Sequence, residues 1–341
     1  LFFFTILTIY ICYFSKEMIR IFLLFLCVYN IIIKATFAYP SWFHHYVEEH
    51  DKKYTDEEMQ VAFNILKPKY DHIRKNTGDL HLRLHKNSDQ NRKSGRRLHE
   101  LIKRSKSTPR QKKKTLNLPL TFDWRVHGSV TDVEAQGACG GCYCFSAIHN
   151  LEHWYYKKKN TLTKLSVQEC IDCTTKKIQG SDGCDGGLME DVFELAKTWK
   201  IGKATYDPFV QRNSVCPLIQ PSHGIRVKSY QVMSDEFSDK IENHLAHNLL
   251  QYGPIPVGID SSSYNVELYR SGIIKADHCG KNIDHAVTVV GYGIEENTRF
   301  WIVKNSWGKH WGENGYFRLE RDHNACGINS YSSFVTDVEV V

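Results

Sequence analysis

Of the side chains in this sequence able to do covalent chemistry, Cys142 has the most telling surroundings. A glycine-rich turn, residues 137–141, leads directly into it. After it, Phe145, Ile148, Leu151 (or Glu152), Trp154 and Tyr155 recur at three- and four-residue steps, and Lys157, Lys158 and Lys159 close the run. That spacing predicts a helix starting at Cys142. A thiol at a helix N-terminus lies beside unpaired backbone N–H groups and the positive end of the dipole, and both favour thiolate. Such a sulfur becomes a nucleophile once a base is within reach. Far downstream, Asp284-His285-Ala286-Val287 and Lys304-Asn305-Ser306-Trp307-Gly308 offer an imidazole and an amide to orient it. The C-x-x-C pair Cys139 and Cys142 also admits a redox or zinc-ligand reading. The first wants a strand before Gln136 and the second wants another short-spaced ligand pair, and neither is readable.

Two kinds of element have to position these groups. From residue 117 to about 209 the pattern is helix-rich. Beyond that, β-branched and aromatic runs bounded by glycines at 255–259, 286–292, 300–304 and 316–319 read as strands, with a hairpin turn at 295–298. Helices in one run and strands in the next predict an α+β fold of two packed subdomains. A cleft between them would hold Cys142 on the helical side and His285 on the sheet side.

The 341 residues suffice for two domains or one plus a leader, and 12% aromatic content allows a sizeable core. The net charge of +6 is unevenly placed. Residues 81–114 hold 13 Lys and Arg against Asp89 and Glu100, so this stretch carries +11 and the remainder −5. Without apolar periodicity it reads as a solvated, protease-sensitive linker; a nucleic-acid or heparin patch is the sharper alternative. Nine of eleven cysteines follow residue 138, which suggests an oxidising compartment and not the cytosol.

The N-terminal third reads as leader and helices. Arg20, an apolar run at 21–33 and Ala35-Thr36-Phe37-Ala38 predict a signal peptide over 18–38, with residues 1–17 upstream of the start and a signal anchor as the alternative. Trp42, Phe43 and Tyr46 sit on an early helix. Thr55-Asp56-Glu57-Glu58 forms a capping box, followed at helical spacing by Val61, Ile65, Leu66, Tyr70 and Ile73. Pro68 should kink or end that helix, since keeping it straight costs about 3 kcal/mol.

The three stretches around Cys142, His285 and Asn305 together resemble the papain-like cysteine peptidases. The signature stands here as Cys139-Gly140-Gly141-Cys142-Tyr143, with His285 following the nucleophile by 143 residues and Asn305 by 163. Gly141 and Tyr143 depart from the usual Ser or Ala and the usual Trp. Leu118-Pro119, Phe122-Asp123-Trp124-Arg125 and Gly128-Ser129-Val130-Thr131 resemble the start of the mature domain. Glu58 and Ile73 fit the interrupted E…R…F…N…I…N signature of the family's inhibitory segment, while Ala62, Leu66, Lys69 and Thr77 stand at its other positions.

The resemblance implies a helical inhibitory segment over 39–80, a basic processing linker over 81–116 and a papain-like two-subdomain peptidase over 117–341. It implies a monomeric cysteine endopeptidase nearest the cathepsin L kind, made as a zymogen and secreted or lysosomal. Protein and peptide substrates and its own propeptide are the implied partners. No nucleic acid is expected for the mature enzyme, and no cofactor or metal. In that scheme Cys142 attacks, His285 is its imidazolium partner, Asn305 orients the ring, and the Gln136 side chain with the Cys142 backbone N–H binds the oxyanion. Trp307 and Trp311 would shield the His–Asn contact. Gly186 and Gly187 would present backbone to an extended substrate. Met189, Gly258, Ile283, Ala286 and Tyr331 would line the pocket for the second residue before the scissile bond, favouring an aliphatic or aromatic side chain there. The family pattern pairs Cys139 with Cys184, Cys173 with Cys216 and Cys279 with Cys326. Cys144 and Cys170 are left either bridged or as buried free thiols. No histidine-bearing insertion of the cathepsin B kind is evident, which favours endopeptidase over dipeptidase, and no Asn-X-Ser/Thr sequon occurs. The rival readings are a non-catalytic papain-fold binding protein and a scaffold acting through the basic stretch.

Overall fold

The computed structural model describes residues 20, 21, 24, 39–76, 78–90, 102, 117–177, 181–233 and 241–341. The signal-peptide reading over 18–38, apart from Arg20, Ile21 and Leu24, and the basic linker from 91 to 116, apart from Ile102, lie outside the described residues. Two compact units are present, residues 1–64 and 65–341.

In the first unit, α1 (Ser41–Glu49) precedes α2 (Asp56–Lys75), which runs on into the second unit. Tyr39, Trp42 and Phe43 gather round Phe63 with ring centroids 5.2, 5.8 and 5.4 Å away. The capping box forms: Thr55 N–H donates to Glu58 Oε2 at 2.8 Å and Glu58 N–H to Thr55 Oγ1 at 3.3 Å. Helix α2 does not end at Pro68, one of the two outcomes the sequence allowed. Pro68 and Asn64 are both exposed, so the carbonyl that loses its donor faces water. Leu66 and Lys69 are buried on the other side and hold the helix. Val61, placed on the apolar face by spacing, is exposed.

The second unit contains, in order, β1 (His81–Leu82), β2 (Phe122–Asp123), α3 (Cys142–Lys159), α4 (Val167–Lys177), α5 (Met189–Thr198), β3 (Ile225–Met233), α6 (Ile241–Tyr252), β4 (Ile255–Ile259), α7 (Tyr264–Glu267), β5 (Tyr269–Ser271), β6 (Ile273–Ile274), β7 (His285–Glu295), β8 (Thr298–Lys304), β9 (Tyr316–Glu320) and β10 (Ser332–Val340). Helices thus dominate the first part and strands the second. The main sheet runs β3-β10-β4-β7-β8-β9-β6, with β2 added on β7. The β7–β8 hairpin turns through Glu296 and Asn297, at φ of 48° and 66°, a sense that matches the strand twist.

Helix α3 is the axis of this unit. Every residue from Cys142 to Tyr155 is buried, polar ones included, because the helix packs against α4 and α5 and against β4, β7 and β10. The buried polar groups find partners. Asn150 Nδ2 donates to Pro254 O at 2.8 Å, and its Oδ1 accepts from Val335 N–H at 2.9 Å. Lys304 Nζ donates to Thr131 Oγ1 at 3.0 Å, and the Thr131 hydroxyl donates to Glu152.

Residues 65–90 dock on the α7–β5 region and the 310–311 turn. Strand β1 pairs antiparallel with β5. Lys69 Nζ lies 2.6 Å from Glu267 Oε1 and donates to Ser88 O at 2.7 Å. His72 Nε2 meets Asn265 Oδ1 at 2.9 Å, His85 Nε2 meets Tyr269 O at 3.0 Å, and Arg83 donates to His310 O at 2.6 Å. Gly272, at φ +101°, gives Asp79 O the room a side chain would take.

Four disulfides tie the unit together: Cys139–Cys184, Cys144–Cys170, Cys173–Cys216 and Cys279–Cys326. Among the described residues no helix is long and apolar enough to cross a membrane, and no group of three or more His, Cys, Asp or Glu could hold a metal ion.

Candidate active site

The turn before Cys142 is shaped by close approaches. A Cβ on Gly140 would lie 2.5 Å from Cys184 O, whose carbonyl accepts from Gly140 N–H at 2.7 Å. One on Gly141 would lie 2.9 Å from Ile171 Cδ1 and 3.3 Å from Cys139 Sγ. A side chain there would have to displace the end of Ile171. Tyr143 is also accommodated: it is fully buried, and its hydroxyl reaches Thr174 Oγ1 at 3.1 Å.

Cys142 is the free cysteine of the described residues and is buried, at 7% exposure. Its sulfur is within the influence of the backbone N–H of Ala286, the residue after His285, which favours the thiolate. The helical side and the sheet side therefore meet at this atom. Burial pushes the thiol up to about 11; the backbone N–H groups pull down and Asp284 adds to the rise. In this covered state the sulfur rests as a thiol, and ionising it calls for a cation beside it.

His285 opens β7, 4% exposed, and its Nε2 lies 2.8 Å from Asn305 Oδ1. The same oxygen accepts from Ser306 N–H at 2.8 Å, which fixes it as the acceptor end of the amide. Nε2 thus carries a proton. Trp307 stacks on the imidazole at 4.8 Å and 24°, and Trp311 packs edge-on against Trp307 at 4.9 Å.

Gln136 is held from two sides. Its Nε2 donates to Cys139 O at 2.9 Å, and its Oε1 accepts from Ser306 Oγ at 2.6 Å. One amide N–H remains for another acceptor. Ser306 was not singled out in the sequence; a serine next to an asparagine carries no signal until its two neighbours are known.

Gly186 and Gly187 are buried and sit before α5. A Cβ on Gly187 would lie 2.2 Å from Ser181 Oγ and 2.7 Å from Tyr143 Cε2, so glycine is required there. Met189, Ile283, Ala286 and Tyr331 are all buried. Gly258 donates to Tyr331 O at 2.9 Å, and a Cβ there would lie 2.5 Å from Ile283 Cγ2 and 3.3 Å from Tyr331 Cδ1. Gly258, Ile283 and Tyr331 are thus neighbours, and Gly258 pairs with Ala286 across β4 and β7. The Tyr331 hydroxyl donates to buried Glu190, a residue the sequence reading missed because an acid after Met189 looks like a first-turn helix residue.

An α+β fold with a thiol, an imidazole and an amide assembled between a helix and a sheet defines a cysteine-protease-like site. The papain family cysteine protease profile matches residues 118–336, and the chain belongs to that family. Cathepsin L of Sarcophaga peregrina is 36% identical over 225 residues, covering 65% of this chain and 65% of that protein, a little under two thirds of its length. A viral cathepsin of Antheraea pernyi nuclear polyhedrosis virus is 32% identical over 324 residues, covering 90% and 96%. Among solved structures, the digestive procathepsin L 3 of Tenebrio molitor larval midgut is similar at a TM-score of 0.71 and 28% identity, covering 87% of this chain and 98% of that one.

Proposed function

We propose that the chain is a cysteine endopeptidase made as a zymogen, with residues 39–80 as inhibitory segment, 81–116 as processing linker and 117–341 as peptidase domain. The observation that carries the reading is free Cys142 as the first residue of α3, a helix packed on β7, the strand that His285 opens with its ring 2.8 Å from Asn305 Oδ1. The imidazolium of His285 supplies the positive charge that brings the buried thiol down to thiolate. The thiolate attacks the scissile carbonyl. Cys142 N–H and the spare N–H of Gln136 receive the oxyanion. His285 then protonates the leaving amine, and water, deprotonated by the same ring, releases the acyl group from sulfur. Asn305 keeps Nε2 protonated and the ring in plane throughout.

Met189, Gly258, Ile283, Ala286 and Tyr331 form the pocket for the second residue before the scissile bond. Because the Tyr331 hydroxyl is turned to Glu190, the pocket is offered a ring and aliphatic walls, which suits an apolar side chain. Docking of residues 65–90 on α7 and β5 supports the zymogen reading. Secretion or lysosomal delivery and a monomeric mature enzyme complete the proposal. The test is hydrolysis of a blocked peptide amide with Leu at that second position by the acid-treated chain. Cleavage that disappears in Cys142→Ala, with a new N-terminus near residue 117, is the expected result; an inert wild type overturns the reading.

A further inference from the structure

Beneath the catalytic pair lies a polar chain that the proposed mechanism does not use. Ser146 and His149 are four and seven residues after Cys142 on α3, hence on its face of the helix. Val287 and Thr288 are two and three residues after His285 on β7. Ser146 Oγ donates to Val287 O at 2.6 Å, Thr288 Oγ1 donates to Ser146 Oγ at 3.3 Å, and His149 Nδ1 lies 3.0 Å from Thr288 Oγ1. Donors and acceptors close in one way only. The Ser146 proton goes to the carbonyl and the Thr288 proton to Ser146, so His149 must donate from Nδ1. All three side chains are 5% exposed or less, and His149 Nε2 is buried with no hydrogen-bond partner. A buried imidazole is a costly way to fill space. Burial opposes its protonation first, and the charged groups facing it, Lys304 from β8 and Lys164 from the loop after α3, add to that. Glu152, on α3 itself, is engaged by Thr131 and Leu165 N–H. The ring therefore stays neutral and keeps its single donor aimed at the strand.

We infer that His149, Thr288 and Ser146 are positioning residues that fix the helix bearing Cys142 against the strand bearing His285, and so set how strongly thiolate and imidazolium couple. Apolar packing alone holds two elements together but lets them slide by fractions of an ångström; directional hydrogen bonds fix the register. The coupling of two charges in a buried site falls steeply with such displacements. Loosening the chain weakens the ion pair, so the thiol titrates higher and the imidazolium lower.

The inference rests on the peptidase reading, and the experiment separates the two. The full-length chain is acid-treated and kcat/KM for a peptide amide is followed from about pH 4 to about pH 9 in wild type, Thr288→Val and Thr288→Ser. Thr288→Val, which keeps the shape and removes the hydroxyl, narrows the bell from both sides by about one pH unit in total and lowers kcat about tenfold. Thr288→Ser restores both limbs. If Thr288→Val lowers Tm while both limbs and kcat stay in place, the residues are only structural and the inference is overturned. Should Thr288→Val not fold, Ser146→Ala is read by the same criteria. A wild type without hydrolysis at any pH overturns the peptidase reading and takes the inference with it.

Discussion

The contact between α3 and β7 and the contact between residues 65–90 and the α7–β5 region belong to one compact unit but are made of different materials. The first buries Ala147, Ile148 and Leu151 on the helix and Val287 and Val289 on the strand, and Cys144–Cys170 fastens α3 to α4. The second sets one ion pair, a two-residue strand pairing and side chains reaching backbone carbonyls around buried Leu80. Apolar burial and covalent bridges persist across pH and ionic conditions, whereas a few polar contacts can be exchanged for water. On the proposed zymogen reading, the first contact persists and the second is given up.

The largest effect should come from the lasting side. Cys142→Ala or His285→Ala should lower kcat/KM by about 10⁴-fold or more, and Gln136→Ala by about 10²–10³-fold, with Tm little changed. Activity within tenfold of wild type in Cys142→Ala would place the chemistry elsewhere. Next comes the releasable side. Lys69→Met strands Glu267, whose side chain is 14% exposed, without its cation; breaking a buried pair costs roughly 3–5 kcal/mol. Acid conversion of the full chain should accelerate about 100-fold or more. Lys67→Met, which removes the exposed pair with Asp71, should change it less than about fivefold. Equal rates for the two variants would show that Lys69 does not hold the segment.

Smaller effects sharpen the contrast. Replacing Cys144 and Cys170 together by Ala opens a bridge spanning 26 residues and should cost about 3 kcal/mol, seen as a fall in Tm of roughly 6–12 °C with kcat retained at low temperature. A fall in kcat at unchanged Tm would make the bridge part of the site. Tyr331→Ala should uncover Glu190 and shift selectivity toward a basic side chain at the second position by about tenfold, a shift that Glu190→Gln in the same chain cancels. If Tyr331→Ala merely favours bulkier apolar side chains, Glu190 does not face the pocket. Finally, burial lifts Glu169 to about 7, above its usual carboxylate range. A carboxyl raised on folding contributes stability below about pH 4.5 that is lost as pH rises toward 7. Tm should therefore fall over that window, less steeply in Glu169→Gln; identical slopes would remove this carboxyl as the cause.

Legibility followed the same division. The helix from Cys142 and the strands at His285, Thr298 and Tyr316 could be read because periodicity and glycine boundaries are local signals. The hairpin at Glu296-Asn297 was equally local. Strands β3 and β10 were not read: Arg226, Lys228 and Asp337 interrupt their apolar pattern, and each strand is the other's partner across the sheet edge. The docking of residues 65–90 was invisible because Lys69 looks like any helix lysine until Glu267, 198 residues on, is brought beside it. Buried polar groups failed for the same reason. Ser306, Glu190, His149 and Thr288 acquire meaning only from neighbours more than a hundred residues away in sequence. Whether Pro68 would end α2 was not legible, because its cost depends on which side of the helix faces water.

The most direct test of the account is the stoichiometry and position of labelling by an epoxide-type thiol reagent on the acid-treated chain, mapped by peptide mass spectrometry. The account predicts about one equivalent on Cys142, formed in step with loss of hydrolysis and prevented by His285→Ala. Label that settles on another residue, or full hydrolysis surviving complete modification of Cys142, would contradict it.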